Sequence, residues 1–295
     1  MAIPLTGPST TGRKLALSPT GDRLALSLLR PGSVEAEDIW IRQLDRPPFT
    51  LTKLTYESNN ANPAWTLDGR AVVYSNGGAA PGLLLRRHAD GSGPVDTLLS
   101  HRRALTEVAP MRDTAQFVVR FLIPPSRDIA LVRRGDTSVT PLAALPSATE
   151  VGPALSPDGR WLAYESDESG RFEVYVRPFP NVASGRWQVS QTGGTAPVWA
   201  HSGRELFYRN GANAMVAAAV LPGATFTLGG QTVLFDAGQF AGNGFTVYYD
   251  VAPDDKRFIF LRAAREAGAA SAITLVQITN WAAEVRAKLG GHEPK

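Results

Sequence analysis

Asn60, Glu107 and Glu150 are the residues whose types and spacing most resemble a metal site. Each stands seven residues ahead of a turn position, at Leu67, Thr114 and Pro157, so all three are expected at the start of equivalent strands. An amide oxygen and two carboxylates converging on one point suit Ca²⁺, a hard cation that takes about 6–8 oxygen ligands. Without a cation, two carboxylates held that close would repel. The plainer alternative is that a glutamate at a strand start caps neighbouring backbone N–H groups. Asp250 and His101 are the candidates for acid–base or nucleophile-activating work. Asp250 takes the place that Ala64, Ala154 and Val198 hold in other repeats, where an acid is either solvated by channel water or binds a ligand. His101 precedes Arg102 and Arg103 between two repeats, whereas His88, His201 and His292 fall at a strand end, in a turn and in a polar tail.

What must position these residues is a repeat. The stretch from Leu155 through Ser156, Pro157, Asp158, Gly159 and Arg160 to Trp161 has weaker copies around Gly21, Gly69, Gly203 and Asp255, with one degenerate copy around Asp113. The interval is about 45 residues, the period of a β-propeller with one sheet per repeat. Pro157 fixes φ, Asp158 bonds its own backbone and Gly159 is free to take positive φ, so the chain turns tightly there. Apolar and β-branched runs on either side read as strands. Six four-stranded blades are expected over approximately 7–55, 56–100, 101–144, 145–191, 192–237 and 238–280. The last lacks an outer strand, which residues 1–6 are expected to supply, closing the ring and removing sheet edges. Residues 281–289 read as a short amphipathic rim helix. Trp65 and Trp199 share one inner-strand position and are expected to wedge between blades.

Composition narrows the partners. The 295 residues are 43% hydrophobic, enough for a full core, and the repeats leave no room for a second domain. No run is long and apolar enough to span a membrane, and residues 1–30 lack the charge-then-apolar order of a signal peptide. With no cysteine, disulfides and thiolate metal sites are excluded. The net charge is only +3, and the arginines are scattered rather than gathered into a stripe, so nucleic acid is not an expected partner. Gly-x-Ser-x-Gly and His-Glu-x-x-His are both absent, as are the phosphate loop and catalytic loop of a kinase.

From Glu150 to Phe235 the chain resembles the TolB-like propeller that follows the kinase domain in many bacterial membrane-anchored serine/threonine protein kinases. The resemblance is carried by Ser156-Pro157-Asp158-Gly159-Arg160-Trp161-Leu162-Ala163-Tyr164, by Ser169-Gly170-Arg171-Phe172-Glu173-Val174-Tyr175-Val176-Arg177-Pro178-Phe179-Pro180, by Gly193-Gly194-Thr195-Ala196-Pro197-Val198-Trp199 and by Gly203-Arg204-Glu205-Leu206-Phe207-Tyr208. It is weaker before Glu107. Asp255, where that family usually has glycine, and His201, where it usually has an acidic or proline-containing turn, depart from the pattern. The resemblance implies an interaction surface and no catalytic residues.

Two functions of different class follow. One is a binding module, a monomer offering its channel face to a protein, peptide or small-molecule ligand. It would lie in the bacterial cytoplasm as it stands, or outside it as part of a membrane-anchored kinase. The other is a Ca²⁺-dependent hydrolase of lactones or related esters, by analogy with gluconolactonase-like propellers whose channel-mouth ion polarises the carbonyl and activates water. On that reading Asn60, Glu107 and Glu150 hold the ion, with His101 and Asp250 as catalytic candidates.

Overall fold

The computed structural model describes residues 2–4, 12–33, 35–47, 49–113, 115–123, 126–136, 138–240, 248–263 and 273–279. Strand β1 (Ala2–Pro4) belongs to the last blade. Blade one is β2 (Gly12–Leu17), β3 (Arg23–Leu29), β4 (Glu37–Gln43) and β5 (Leu51–Lys53). Blade two is β6 (Ala61–Trp65), β7 (Ala71–Ser75), β8 (Gly82–His88) and β9 (Asp96–His101). Blade three comprises β10 (Leu105–Ala109), β11 (Gln116–Ile123), β12 (Ser126–Arg133) and β13 (Val139–Ala143), and blade four β14 (Glu150–Leu155), β15 (Trp161–Ser166), β16 (Glu173–Pro178) and β17 (Trp187–Gln188). Blade five holds β18 (Gly194–Trp199), β19 (Glu205–Asn210), β20 (Ala214–Leu221) and β21 (Thr227–Asp236); blade six holds β22 (Tyr249–Val251), β23 (Arg257–Ala263) and β24 (Ile273–Thr279). Each is a four-stranded antiparallel sheet, blade six being completed by β1. The expected six-bladed, all-β propeller is therefore the observed fold.

The repeated turn works through a hydroxyl. Ser156 Oγ donates to Asp158 Oδ1 at 2.6 Å and accepts the Trp161 N–H at 3.0 Å, and Thr66 does the same with Asp68 and Ala71. Gly159 closes the turn on the Ser156 carbonyl at φ +73°, a left-handed geometry that costs glycine little.

Apolar faces pack blade against blade. Leu17, Leu24 and Leu26 meet Ile259, Leu261 and Leu275 where the last blade joins the first. Phe207 of blade five meets Phe258 of blade six edge to face, with ring centroids 4.9 Å apart. The Trp65 indole donates to the Ala16 carbonyl at 2.9 Å and Trp199 to the Ala154 carbonyl at 3.1 Å, each reaching into the preceding blade as expected. The ring closes through β1 and β24, with Ala2 opposite Val276 and Pro4 opposite Thr274. Leu5 and Thr6, and the rim helix expected at 281–289, lie outside the described residues.

One feature escapes simple alternation. Inner strands carry a bulge: between Ala61 and Ala64, Leu105 and Val108, Val151 and Ala154, and Thr195 and Val198, one extra residue faces the second strand. Asn62, Gly152 and Ala196 sit in these bulges at φ +56°, +63° and +56°.

Candidate functional site

The bulge decides which side chains reach the axis. An extra residue reverses facing, so Glu150 and Ala154, although four residues apart, lie on opposite faces of their sheet. In blade three the register places Glu107 inside the bulge, where Pro63, Pro153 and Pro197 stand in blades two, four and five. Glu107 is thus three positions further along its blade than Glu150 is along its own. Asn60 precedes β6, and its N–H donates to the Glu37 carbonyl at 2.9 Å. Asn60 and Glu150 hold the same place in their blades, one residue before Ala61 and Val151, but Glu107 does not, so the expected set of three is broken at blade three.

Their partners differ accordingly. Glu107 Oε2 accepts the Gly152 N–H at 3.0 Å and pairs with Arg120 Nε at 3.0 Å, while Lys14 Nζ stands 3.9 Å from Oε1. Lys14 belongs to blade one and Glu107 to blade three, so their meeting lies at the axis. Burial alone would raise the Glu107 pKa, but the Arg120 and Lys14 cations hold it below the ordinary carboxylate range. Glu150 accepts the Leu145 N–H at 3.2 Å, and its charged neighbours are Asp128, Glu168 and Asp167. Burial first, then that negative company, raises its pKa to about 7. Among the described residues no three His, Cys, Asp or Glu side chains gather closely enough to hold one ion.

Asp250 and His101 are not brought together. Asp250, on the inner strand of blade six, accepts the Leu17 N–H of blade one and its neighbour Val251 N–H, both at 2.8 Å. Burial raises its pKa against those two bonds and the pull of His201 and Lys14. His101 ends the outer strand of blade two, buried rather than solvated; its Nδ1 accepts the Arg103 N–H at 3.1 Å and its ring packs on Phe121. Glu165, outside the expected set of site residues, repeats the Asp250 arrangement. It is fully buried, accepts the Ala196 N–H of blade five at 2.7 Å, and burial lifts its pKa to about 8. Acids near the axis thus serve as links between blades.

A cavity of about 350 Å³ opens where the inner strands begin, between blades one, two and three. Glu35 and Glu37 come from blade one, Asn59 and Asn62 from the approach to and the bulge of β6, and Arg120 from β11. Asn59 Oδ1 accepts the Glu37 N–H at 2.8 Å, which ties the two blades together beside the cavity. Gly77 completes the wall at φ +67°, and a Cβ there would collide with the Asn59 amide. None of these residues was singled out as a ligand from the sequence, except that Asn60 adjoins Asn59. The signal available was polar side chains on the loops at the strand-start end of three successive blades.

The fold is a six-bladed propeller of four-stranded blades, and it is similar to that of solved TolB structures. No protein-family model and no curated protein sequence matches the chain. Among solved structures, TolB from Acinetobacter baumannii superposes with a TM-score of 0.61 at 13% identity over 87% of this chain; the chain spans 64% of that protein's length. A protein assigned as TolB from Agrobacterium tumefaciens gives 0.60 at 14% identity, covering 92% of this chain and 91% of the other. A gluconolactonase from Xanthomonas campestris gives 0.59 at 15% identity, covering 94% and 89%. At such identities the likeness speaks for the fold alone. No helix among the described residues is long and apolar enough to cross a membrane.

Proposed function

We propose that this chain is a binding module without catalytic activity of its own, presenting the face where its inner strands begin to a protein, peptide or small-molecule ligand. The kinship with propellers that follow the kinase domain of membrane-anchored bacterial kinases belongs to this proposal. The observation that carries it is the state of the axial carboxylates. Glu107, Glu165 and Asp250 each accept a backbone N–H from the next blade, and Glu107 is further neutralised by Lys14 and Arg120. A hydrolytic centre needs a carboxylate or an ion with an open position; here the acids are spent on the ring.

The Ca²⁺-dependent lactonase reading draws on the likeness to the gluconolactonase fold, and the offset of Glu107 from the place that Asn60 and Glu150 share speaks against it. A selection from a displayed random-peptide library against the folded protein tests the binding reading. It expects enriched peptides whose binding is lost on Glu35→Lys while the melting temperature is unchanged. Chelator-sensitive hydrolysis of a sugar lactone by the purified protein would overturn it.

A further inference from the structure

The cavity between blades one, two and three carries opposite charge on its two sides. On the inner side one carboxylate serves several cations. Lys14 and Arg120 both stand against Glu107, and Arg127 acts on it as well. Asp250 also acts on Lys14, and Glu165 also acts on Arg120. Arg120 is only 7% exposed and lines the cavity, its Nε standing 3.0 Å from Glu107 Oε2 as an ion pair without a hydrogen bond. Neither of its Nη groups makes a hydrogen bond within the described residues. A guanidinium offering Nη donors from a buried position is suited to a carboxylate, which it can grip with two parallel hydrogen bonds. On the outer side Glu35 is exposed at the lip and brings a negative charge to it. Asn62, also in the lining, supplies an amide able to donate or accept.

We propose that this cavity binds a free α-amino acid, its carboxylate on Arg120 and its ammonium group at Glu35. The proposal rests on the reading that this face binds ligands and names the chemistry that it recognises. A purely anionic ligand would meet Glu35 and Glu37, and a purely cationic one would meet Arg120 with Lys14 and Arg127 behind it. A small zwitterion satisfies both sides at once. The volume agrees: about 350 Å³ stands at the lower end of small-molecule sites, which run from about 300 to 1,000 Å³. That is room for one amino acid and not for a folded domain.

The test is calorimetric titration of the intact chain with each of the twenty common amino acids, followed by the N-acetyl and methyl-ester forms of the tightest binder. The expected result is at least one amino acid binding with Kd below about 1 mM, weakened roughly tenfold or more by either blocking group. Glu35→Gln, a change at an exposed lip, should weaken the free amino acid with no change in melting temperature, and should weaken the methyl ester too. Arg120→Lys should weaken it by removing the fork. Equal binding of the methyl ester would reduce the site to a cation pocket, and equal binding of the N-acetyl form to an anion pocket; either overturns the proposal. So does the absence of binding by all twenty at 10 mM, a concentration about tenfold above the expected Kd. Should that happen while Glu35-dependent peptides still emerge from the library selection, the amino-acid assignment fails and the binding-module reading stands.

Discussion

The Asp255 carboxylate accepts the backbone N–H groups of His201 and Ser202 at 2.6 and 2.9 Å, tying the turn of blade six to the turn of blade five. These are the two positions at which the chain departs from its usual turn chemistry, and the structure makes them one feature. Asp255 holds φ +54°, a conformation that aspartate tolerates better than most residues. Blade five has Ser202 where the repeat has Asp158, and the acid is supplied from its neighbour by Asp255.

Asp255→Gly relieves the backbone but orphans two N–H donors, so a net loss of about 1 kcal/mol is expected. Asp255→Ala loses the bonds and keeps the strain, and should cost about 2 kcal/mol or more. Urea unfolding of both variants checks the order. Alanine proving milder than glycine would show that the φ assignment is wrong.

Gly159→Val isolates backbone strain. No atom lies within 4 Å of a Cβ built at Gly159, so the cost comes from φ +73° alone and should be about 1–2 kcal/mol. A change under about 0.5 kcal/mol would mean that the turn relaxes freely.

Removing residues 1–4 uncovers the outer edge of β24. The melting temperature should fall by about 5 °C or more, since a strand pairing and the closure of the ring are lost together. A truncated chain that melts like its parent would leave the closure without energetic weight.

The pH dependence of stability should bear the mark of Glu165. Its pKa is raised from the ordinary value to about 8 by burial, so between about pH 4.5 and 8 the folded chain holds a proton that the unfolded chain has released. Stability from this group is greatest at low pH and is lost as pH rises through that window. Glu150, raised to about 7, adds a slope of the same sign that ends earlier. Glu107 runs the other way: its lowered pKa gives stability that disappears on acidification. Glu165→Gln should flatten the fall towards pH 8, as read from urea midpoints across the range. An unchanged slope would place the titration elsewhere.

The blades were legible because one turn recurs: Ser156, Pro157, Asp158 and Gly159 dictate a tight geometry whatever the neighbouring strands contain. The closing strand was legible because a sixth blade lacked its outer strand. The site was not, because the inner strands are bulged and facing was counted by simple alternation. The sequence does carry a sign of the bulge, in the pairs Asn62-Pro63, Gly152-Pro153 and Ala196-Pro197. Proline cannot donate to the ladder and marks a break in it. Blade three has Thr106-Glu107 there, so its copy slipped by three residues and Glu107 was aligned with Glu150. Lys14 and Arg120 were invisible for another reason: they belong to no repeated motif, and only closure of the ring brings blade one against blade three.

Glu107 either holds the ring together or serves a metal ion. The most direct measurement is the melting temperature of the parent chain and of Glu107→Gln, each with excess Ca²⁺ and with chelator. If Glu107 is held by Lys14, Arg120 and the Gly152 N–H, Ca²⁺ should leave the parent unmoved. The variant should then melt lower in both conditions, because it strips the buried Arg120 and the half-buried Lys14 of their counter-charge. A parent stabilised by several degrees in Ca²⁺, with that gain abolished in Glu107→Gln, would contradict the account and return the axis to metal chemistry.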